Sequence, residues 1–301
     1  MRCNCGIYAS GSGKSRFLAS LYVGLLKAGL SATLIDPHGD LARLVLAHLV
    51  ADGWYEDPTS FTRLLYLDLP AAARQGRYAP FNILRTRFDS ETTTKHVVEA
   101  FKRAWPSLDS GVAVRFENIV LAGTSLLVEH GVPLPHLHEL LTDDHWREEL
   151  LSRSRDESVV SFFRHRFDRW GKEQPLLIES TLNRVYLLTY TKVLKYSLLQ
   201  QDNLFDFRQI MDSNRSLIVN LALGDTDSRR LLGSLLTVSA EQGALSRAEL
   251  APDTRHSTHY LVIDEFSEFT EQSETALSRM LSATRKFGLF LVMSHQTWSQ
   301  V

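Results

Sequence analysis

Ala9-Ser10-Gly11-Ser12-Gly13-Lys14-Ser15 is the stretch around which the rest of the chain is read. It stands between a short strand-like run, residues 3–8, and an apolar helical run over 16–28. A Gly-rich turn joining a strand to a helix is the setting in which a phosphate-binding loop works. Gly11 and Gly13, with Ser10 and Ser12 beside them, let backbone N–H groups turn inward with no Cβ in the way. The N-terminus of the following helix adds partial positive charge at the same point. In such a loop Lys14 reaches the outer phosphates of a nucleotide such as ATP, and the Ser15 hydroxyl holds Mg²⁺. The usual pattern is G-x-x-x-x-G-K-[ST], and Tyr8 stands where its first glycine would be. A Gly/Ser linker that happens to carry a lysine is the alternative, and the remaining sequence decides between the two.

The chain has 301 residues, enough for one large α/β domain or two smaller units. Apolar residues make up 44% and charged residues 23%, an ordinary globular composition. No stretch approaches the roughly 18 uninterrupted apolar residues of a membrane helix, and the N-terminus lacks the pattern of a secretory leader. The two cysteines, Cys3 and Cys5, are one residue apart, too close for an ordinary disulfide or the usual zinc spacing. These features predict a cytosolic protein. The net charge is −2, whereas a surface that grips nucleic acid along its whole length is strongly basic. Any nucleic-acid contact must therefore be local, or built by loops that converge in an oligomer.

Strands and helices alternate through the first eighty residues. A buried-strand pattern over 31–35 runs into Asp36-Pro37-His38-Gly39-Asp40, a helix over 41–50 follows, and a further strand over 63–69. This βαβαβ alternation calls for a parallel sheet covered on both faces. Between about residues 92 and 199 strand signals vanish, and helical periodicity takes over in 94–105, 114–129, 137–141, 146–153, 158–170 and 178–198. Sheet character returns over 216–221, followed by a long helix over 228–246. The expected organisation is a sheet domain begun by residues 1–91, an all-helical insertion over 92–200, and the rest of the sheet domain over 201–301.

Tyr260-Leu261-Val262-Ile263-Asp264-Glu265 is the second chemical stretch. Four apolar residues running into two acids describe a buried parallel strand that delivers carboxylates to its C-terminal edge, where open α/β sheets bind ligands. Asp264 is the candidate for the Mg²⁺ shell, and Glu265 for orienting and polarising an attacking water. A strand capped by acids at a solvent boundary is the plainer reading, and it loses weight once a phosphate loop is present in the same chain. Another strand, 289–294, ends in His295-Gln296. The Gln296 amide is either a sensor of the terminal phosphate or an exposed strand end. His136 with His138, and His256 with His259, lack a matching acid or thiol cluster and read as solvated or hydrogen-bonded histidines.

The order ASGSGKS, LIDPHGDL, YAPFNIL, LLTDD, LIVNLALG, LVIDEF and LSATRKFGLFLVMSHQ resembles the HerA/FtsK-type ATPases, and within them the conjugative coupling-protein branch of type IV secretion. The resemblance covers essentially the whole chain. It implies a RecA-like P-loop NTPase fold with a mainly parallel sheet and an inserted helical subdomain. It further implies hexameric rings, Mg²⁺-dependent ATP hydrolysis and translocation of DNA through central loops, with secretion-channel or relaxosome proteins as partners at the inner face of the membrane. Lys14, Ser15, Asp264, Glu265 and Gln296 match the nucleotide-site positions. Asp36 and His38 match the DPHGD segment, either as turn formers or as contacts to nucleotide or water. The chain stops just after Gln296, where the family continues through another strand, so the expectation is of a piece that folds poorly or self-associates. For the arginine finger supplied in trans, Arg285 and Arg115 are the candidates, and Arg285 reads equally as a helix-end charge. The run Phe162-Phe163-Arg164-His165-Arg166-Phe167-Asp168-Arg169-Trp170 either stacks on single-stranded DNA or buries Phe163, Phe167 and Trp170 on one helix face. A degenerate, non-translocating nucleotide-binding subunit of a secretion complex is the alternative function.

Overall fold

The computed structural model describes residues 13–105, 110–250, 256–269 and 282–294. The strand-like run 3–8, Ser10, Gly11, Ser12, His295 and Gln296 lie outside the described residues. The chain forms two compact units, one drawn from before Tyr78 and after Leu204, the other being Tyr78–Leu204.

The first unit is built on five parallel strands: β1 (Ser31–Asp36), β2 (Leu64–Asp68), β3 (Ser216–Asn220), β4 (His259–Ile263) and β5 (Leu289–Met293). Their order is β2-β3-β1-β4-β5. β1 lies between β3 and β4, with Ile35 opposite Val219 on one side and Ile263 on the other. The parallel sheet expected from the βαβαβ alternation is therefore present. On one face Ala32, Leu34, Ile218 and Val262 pack against Leu18, Tyr22 and Leu26 of α1 (Lys14–Lys27) and Leu41, Val45 and Leu49 of α2 (Asp40–Ala51). Residues alternate between faces along a strand, and Ile35, Leu217, Val219, Leu261 and Ile263 are buried too. Both faces of the sheet are thus covered. Tyr22 seats α1 on the strands: its buried hydroxyl lies 2.9 Å from the Ala32 carbonyl and 3.0 Å from that of Leu217.

The opposite, N-terminal edge of the sheet is closed by polar groups that satisfy one another. His259 holds the Ser31 hydroxyl at Nδ1 and the Thr33 hydroxyl at Nε2, each at 2.9 Å. Arg247, fully buried, donates to the carbonyls of Ser257 and Phe287 and to the Asp212 carboxylate. These bonds allow a guanidinium to sit in the interior.

The second unit is helical. Ser90–Ala104 and Ser110–Glu129 are its long helices, with Val97, Phe101, Phe116, Ile119 and Leu126 in the core. Two long expected helices are broken. The run over 158–170 is an α-helix only over Glu157–Phe162; Phe163–Phe167 widens to a π turn and Asp168–Glu173 tightens to 3₁₀. The run over 178–198 becomes Gln174–Val185, Leu187–Tyr190 and Lys192–Leu198. Thr191 is extended (φ −77, ψ 113), a conformation that its β-branched side chain accepts more readily than the helix interior. Helical periodicity in sequence registers which residues are apolar and passes over such a single extended residue.

Candidate functional site

Because the described strands are parallel, their C-terminal ends share one edge. Along it stand Asp68, Asn220 and Asp36 at the ends of β2, β3 and β1, then Asp264 and Ser294 one residue past β4 and β5. Ligands in open parallel sheets bind outside this edge. An apolar run can end in a polar side chain there because the strand emerges from between its covering helices.

Lys14 opens α1 at the same edge. Its ammonium pairs with the Glu265 carboxylate and lies 3.8 Å from Asp264 Oδ1. The fold thus brings together three of the residues singled out in the sequence, across 251 positions of chain. Gly13 precedes Lys14 in the left-handed region (φ 84), and among the described residues no side chain caps the helix. The first N–H groups of α1 therefore point outward as donors beside Ser15. Asp264 and Glu265 are both buried. Burial pushes the Asp264 carboxyl up, while the Ser294 hydroxyl and the Lys14 charge pull it back. Glu265 sits in the left-handed region (φ 48, ψ 53), at a cost of about 1–3 kcal/mol for a non-glycine residue.

This donor set fits a Mg²⁺-nucleotide. A hydroxyl from Ser15 and a carboxylate from Asp264 are the hard oxygen ligands Mg²⁺ takes, usually one or two from protein with the rest from phosphates and water. The open end of α1 and the Lys14 ammonium are complementary to phosphate.

Asp36 is spent on the chain itself. Oδ1 accepts from the His38 amide at 2.9 Å and Oδ2 from the Ala42 amide at 2.7 Å, which ties the end of β1 to the first turn of α2. Gly39 completes this turn at φ 79, where a Cβ would stand 2.5 Å from the Asn220 side chain. His38 reaches outward instead, its Nε2 3.5 Å from Glu268 Oε1. The other oxygen of Glu268 accepts from Arg229 Nε at 2.9 Å, and Arg229 belongs to the helix Thr226–Leu245. Glu268, Arg229, Asn220 and Ser294 escaped the sequence reading. For Asn220 and Ser294 a usable signal exists, a polar residue ending an apolar strand. Glu268 and Arg229 carry none, being ordinary charges in polar stretches.

Arg285 precedes β5, at the end of the sheet away from the carboxylates, and its guanidinium lies 6.0 Å over the Phe290 ring. The fold does not bring it to Lys14, Asp264 and Glu265 of its own chain. Arg115 lies in the helix Ser110–Glu129 of the second unit. In the 162–170 run, Phe163 and Phe167 are fully buried beneath the Arg147 guanidinium, at 5.9 and 5.0 Å, and Arg164 pairs with the Glu148 carboxylate. Phe163 and Phe167 serve the helical core, whereas Trp170, expected to be buried with them, is half-buried. Among the residues of the histidine pairs, His136 meets Glu139 at 3.0 Å and His259 is held by hydroxyls.

No family profile matches the chain, and no curated protein matches it in sequence. Solved structures do. Bacterial conjugative coupling protein TrwBdeltaN70 in its unbound form superposes with a TM-score of 0.56 at 17% identity, over 97% of this chain and 61% of that one. Plasmid coupling protein TrwB in complex with ADP and Mg²⁺ gives 0.56 at 16% identity, over 97% and 62%. VirB4 of Thermoanaerobacter pseudethanolicus gives 0.54 at 12%, over 98% and 69%. The chain thus spans about three fifths of the length of the coupling-protein structures. The fold is that of the RecA-like P-loop ATPases. Its structural neighbours include conjugative coupling proteins, the branch that the order of its motifs resembles.

Proposed function

We propose that the chain is the ATPase core of a DNA-translocating motor of the conjugative coupling-protein type, acting as a hexameric ring. The observation that carries this reading is the meeting of Lys14 with Asp264 and Glu265 at the C-terminal edge of the sheet. A nucleotide would lie at the open end of α1, with Ser10, Gly11, Ser12 and Gly13 as the phosphate-binding stretch of the sequence. Ser15 and Asp264 would hold Mg²⁺, which would neutralise phosphate charge. Lys14 leaves Glu265 for the outer phosphates, and the freed carboxylate orients a water and takes its proton. Gln296 reads the terminal phosphate, and a neighbouring subunit supplies Arg285 or Arg115 in trans. Among the described residues no helix is long and apolar enough to cross a membrane. The ring works at the inner face of the membrane through channel and relaxosome partners.

The test is ATP hydrolysis with and without DNA, single- and double-stranded, followed together with the size of the protein in solution. DNA-stimulated turnover by a ring is the expected result. Nucleotide binding with no turnover on any DNA would leave the non-translocating subunit of a secretion complex as the function.

A further inference from the structure

Ser294 stands one residue past β5 and is bonded to four consecutive residues at the end of β4. Its N–H donates to the Ile263 carbonyl at 3.1 Å, and its carbonyl accepts from the Phe266 amide at 3.0 Å. Its hydroxyl accepts from the Glu265 amide at 3.2 Å and donates to Asp264 Oδ1. The two main-chain bonds would form with any residue but proline at this position. Those of the hydroxyl need an atom that donates and accepts at once, which a hydroxyl does with its one proton and two lone pairs.

We propose that Ser294 is a positioning residue for the hydrolytic site, a role that rests on the function proposed above. Its single hydroxyl aligns both acids. It fixes one carboxylate oxygen of Asp264, and it satisfies the amide that the left-handed turn of Glu265 directs inward. A buried amide without a partner costs about 1–3 kcal/mol, so this bond also holds the turn that aims the Glu265 side chain. Ser294 leads directly into His295-Gln296 in the sequence.

The experiment compares the wild-type chain with Ser294→Ala and Ser294→Thr. Binding of a fluorescent ATP analogue is titrated in EDTA and then against Mg²⁺; steady-state turnover and, without ligand, amide exchange at Glu265 are measured alongside. Ser294→Ala is expected to bind the analogue in EDTA as the wild type does. It should need about 10–100-fold more Mg²⁺ for half-maximal effect and lose kcat on the same scale with KM little changed, as when an outer partner of a metal ligand is removed. Its Glu265 amide should exchange faster, and Ser294→Thr should restore all three. An alanine variant with the wild-type Mg²⁺ midpoint and kcat overturns the role of Ser294 alone, as does a threonine variant with the full alanine defect. Should Ser294→Ala not fold, Ser294→Cys replaces it: an unchanged Mg²⁺ midpoint overturns the role and a raised one supports it. A wild-type chain that binds no nucleotide at all overturns the proposed function and this role with it.

Discussion

Lys14 and Glu265 pair with each other, and each predicts a different defect when removed. Lys14→Ala leaves the loop without its cation and the end of α1 with only its backbone donors, so binding of a fluorescent ATP analogue should be lost; unchanged binding would remove the phosphate-loop reading. Glu265→Gln keeps the shape and loses the charge that polarises water. ATP should still bind, while turnover falls on the order of a hundredfold or more, the scale of a lost general base. Turnover near wild type would place the base elsewhere. The substitution also removes the partner that Lys14 must leave, so nucleotide affinity should not fall.

Two contacts between elements lend themselves to test. The Phe269 ring lies against Gly233 of the helix Thr226–Leu245 so closely that a Cβ on Gly233 would stand 2.2 Å from it, and Ser234 donates to the Phe269 carbonyl. Gly233→Ala forces the segment after Asp264 and Glu265 off the helix. It should cost about 1–3 kcal/mol as overpacking, read as a lowered urea midpoint, with turnover falling as well. At the other end of β4, burial and then the Arg247 charge push His259 down to about 3 from its ordinary 6.5. The unfolded chain therefore binds more protons than the folded one between those values, and stability rises with pH across that window. The stabilisation is complete above about pH 6.5 and is lost as pH falls toward 3. The urea midpoint should drop from pH 7 to pH 5, and His259→Gln should flatten that drop. An equal drop in both proteins would locate the titration in another group.

For the whole molecule, a ligand that binds only the folded state stabilises it by mass action, about 2.7 kcal/mol at a hundred times its Kd. ADP with Mg²⁺ should therefore raise the melting temperature, and it should slow hydrogen exchange in peptides from α1, the turn after β1 and the end of β4. Nucleotide that leaves exchange there unchanged would place its site elsewhere. The parallel sheet was legible because strand–turn–helix alternation and largely apolar strands are local signals, present in 31–35, 216–221 and 260–263. The breaks in the helical unit at Phe163 and Thr191 were not, since helical periodicity records apolar spacing and passes over one residue's backbone. The aromatic run 162–170 had two readings in the sequence, and the burial of Phe163 and Phe167 came only with the packing of the helical unit.

By itself the sequence determined the class of fold and the kinds of side chain available at its C-terminal edge: a lysine opening a helix after glycine, and acids ending a buried strand. Both follow from short-range pattern, in which residue type and spacing suffice. Only the tertiary structure decided which of those groups meet. Lys14 finds Glu265 because the end of β4 and the start of α1 come to the same edge of the sheet, 251 positions apart in the chain. Asp36 turns back onto the first turn of α2, His38 reaches Glu268, and the Ser294 hydroxyl lies between the two acids. Such meetings depend on strand order and on angles at strand ends, which arise when distant segments pack, and no local spacing encodes them.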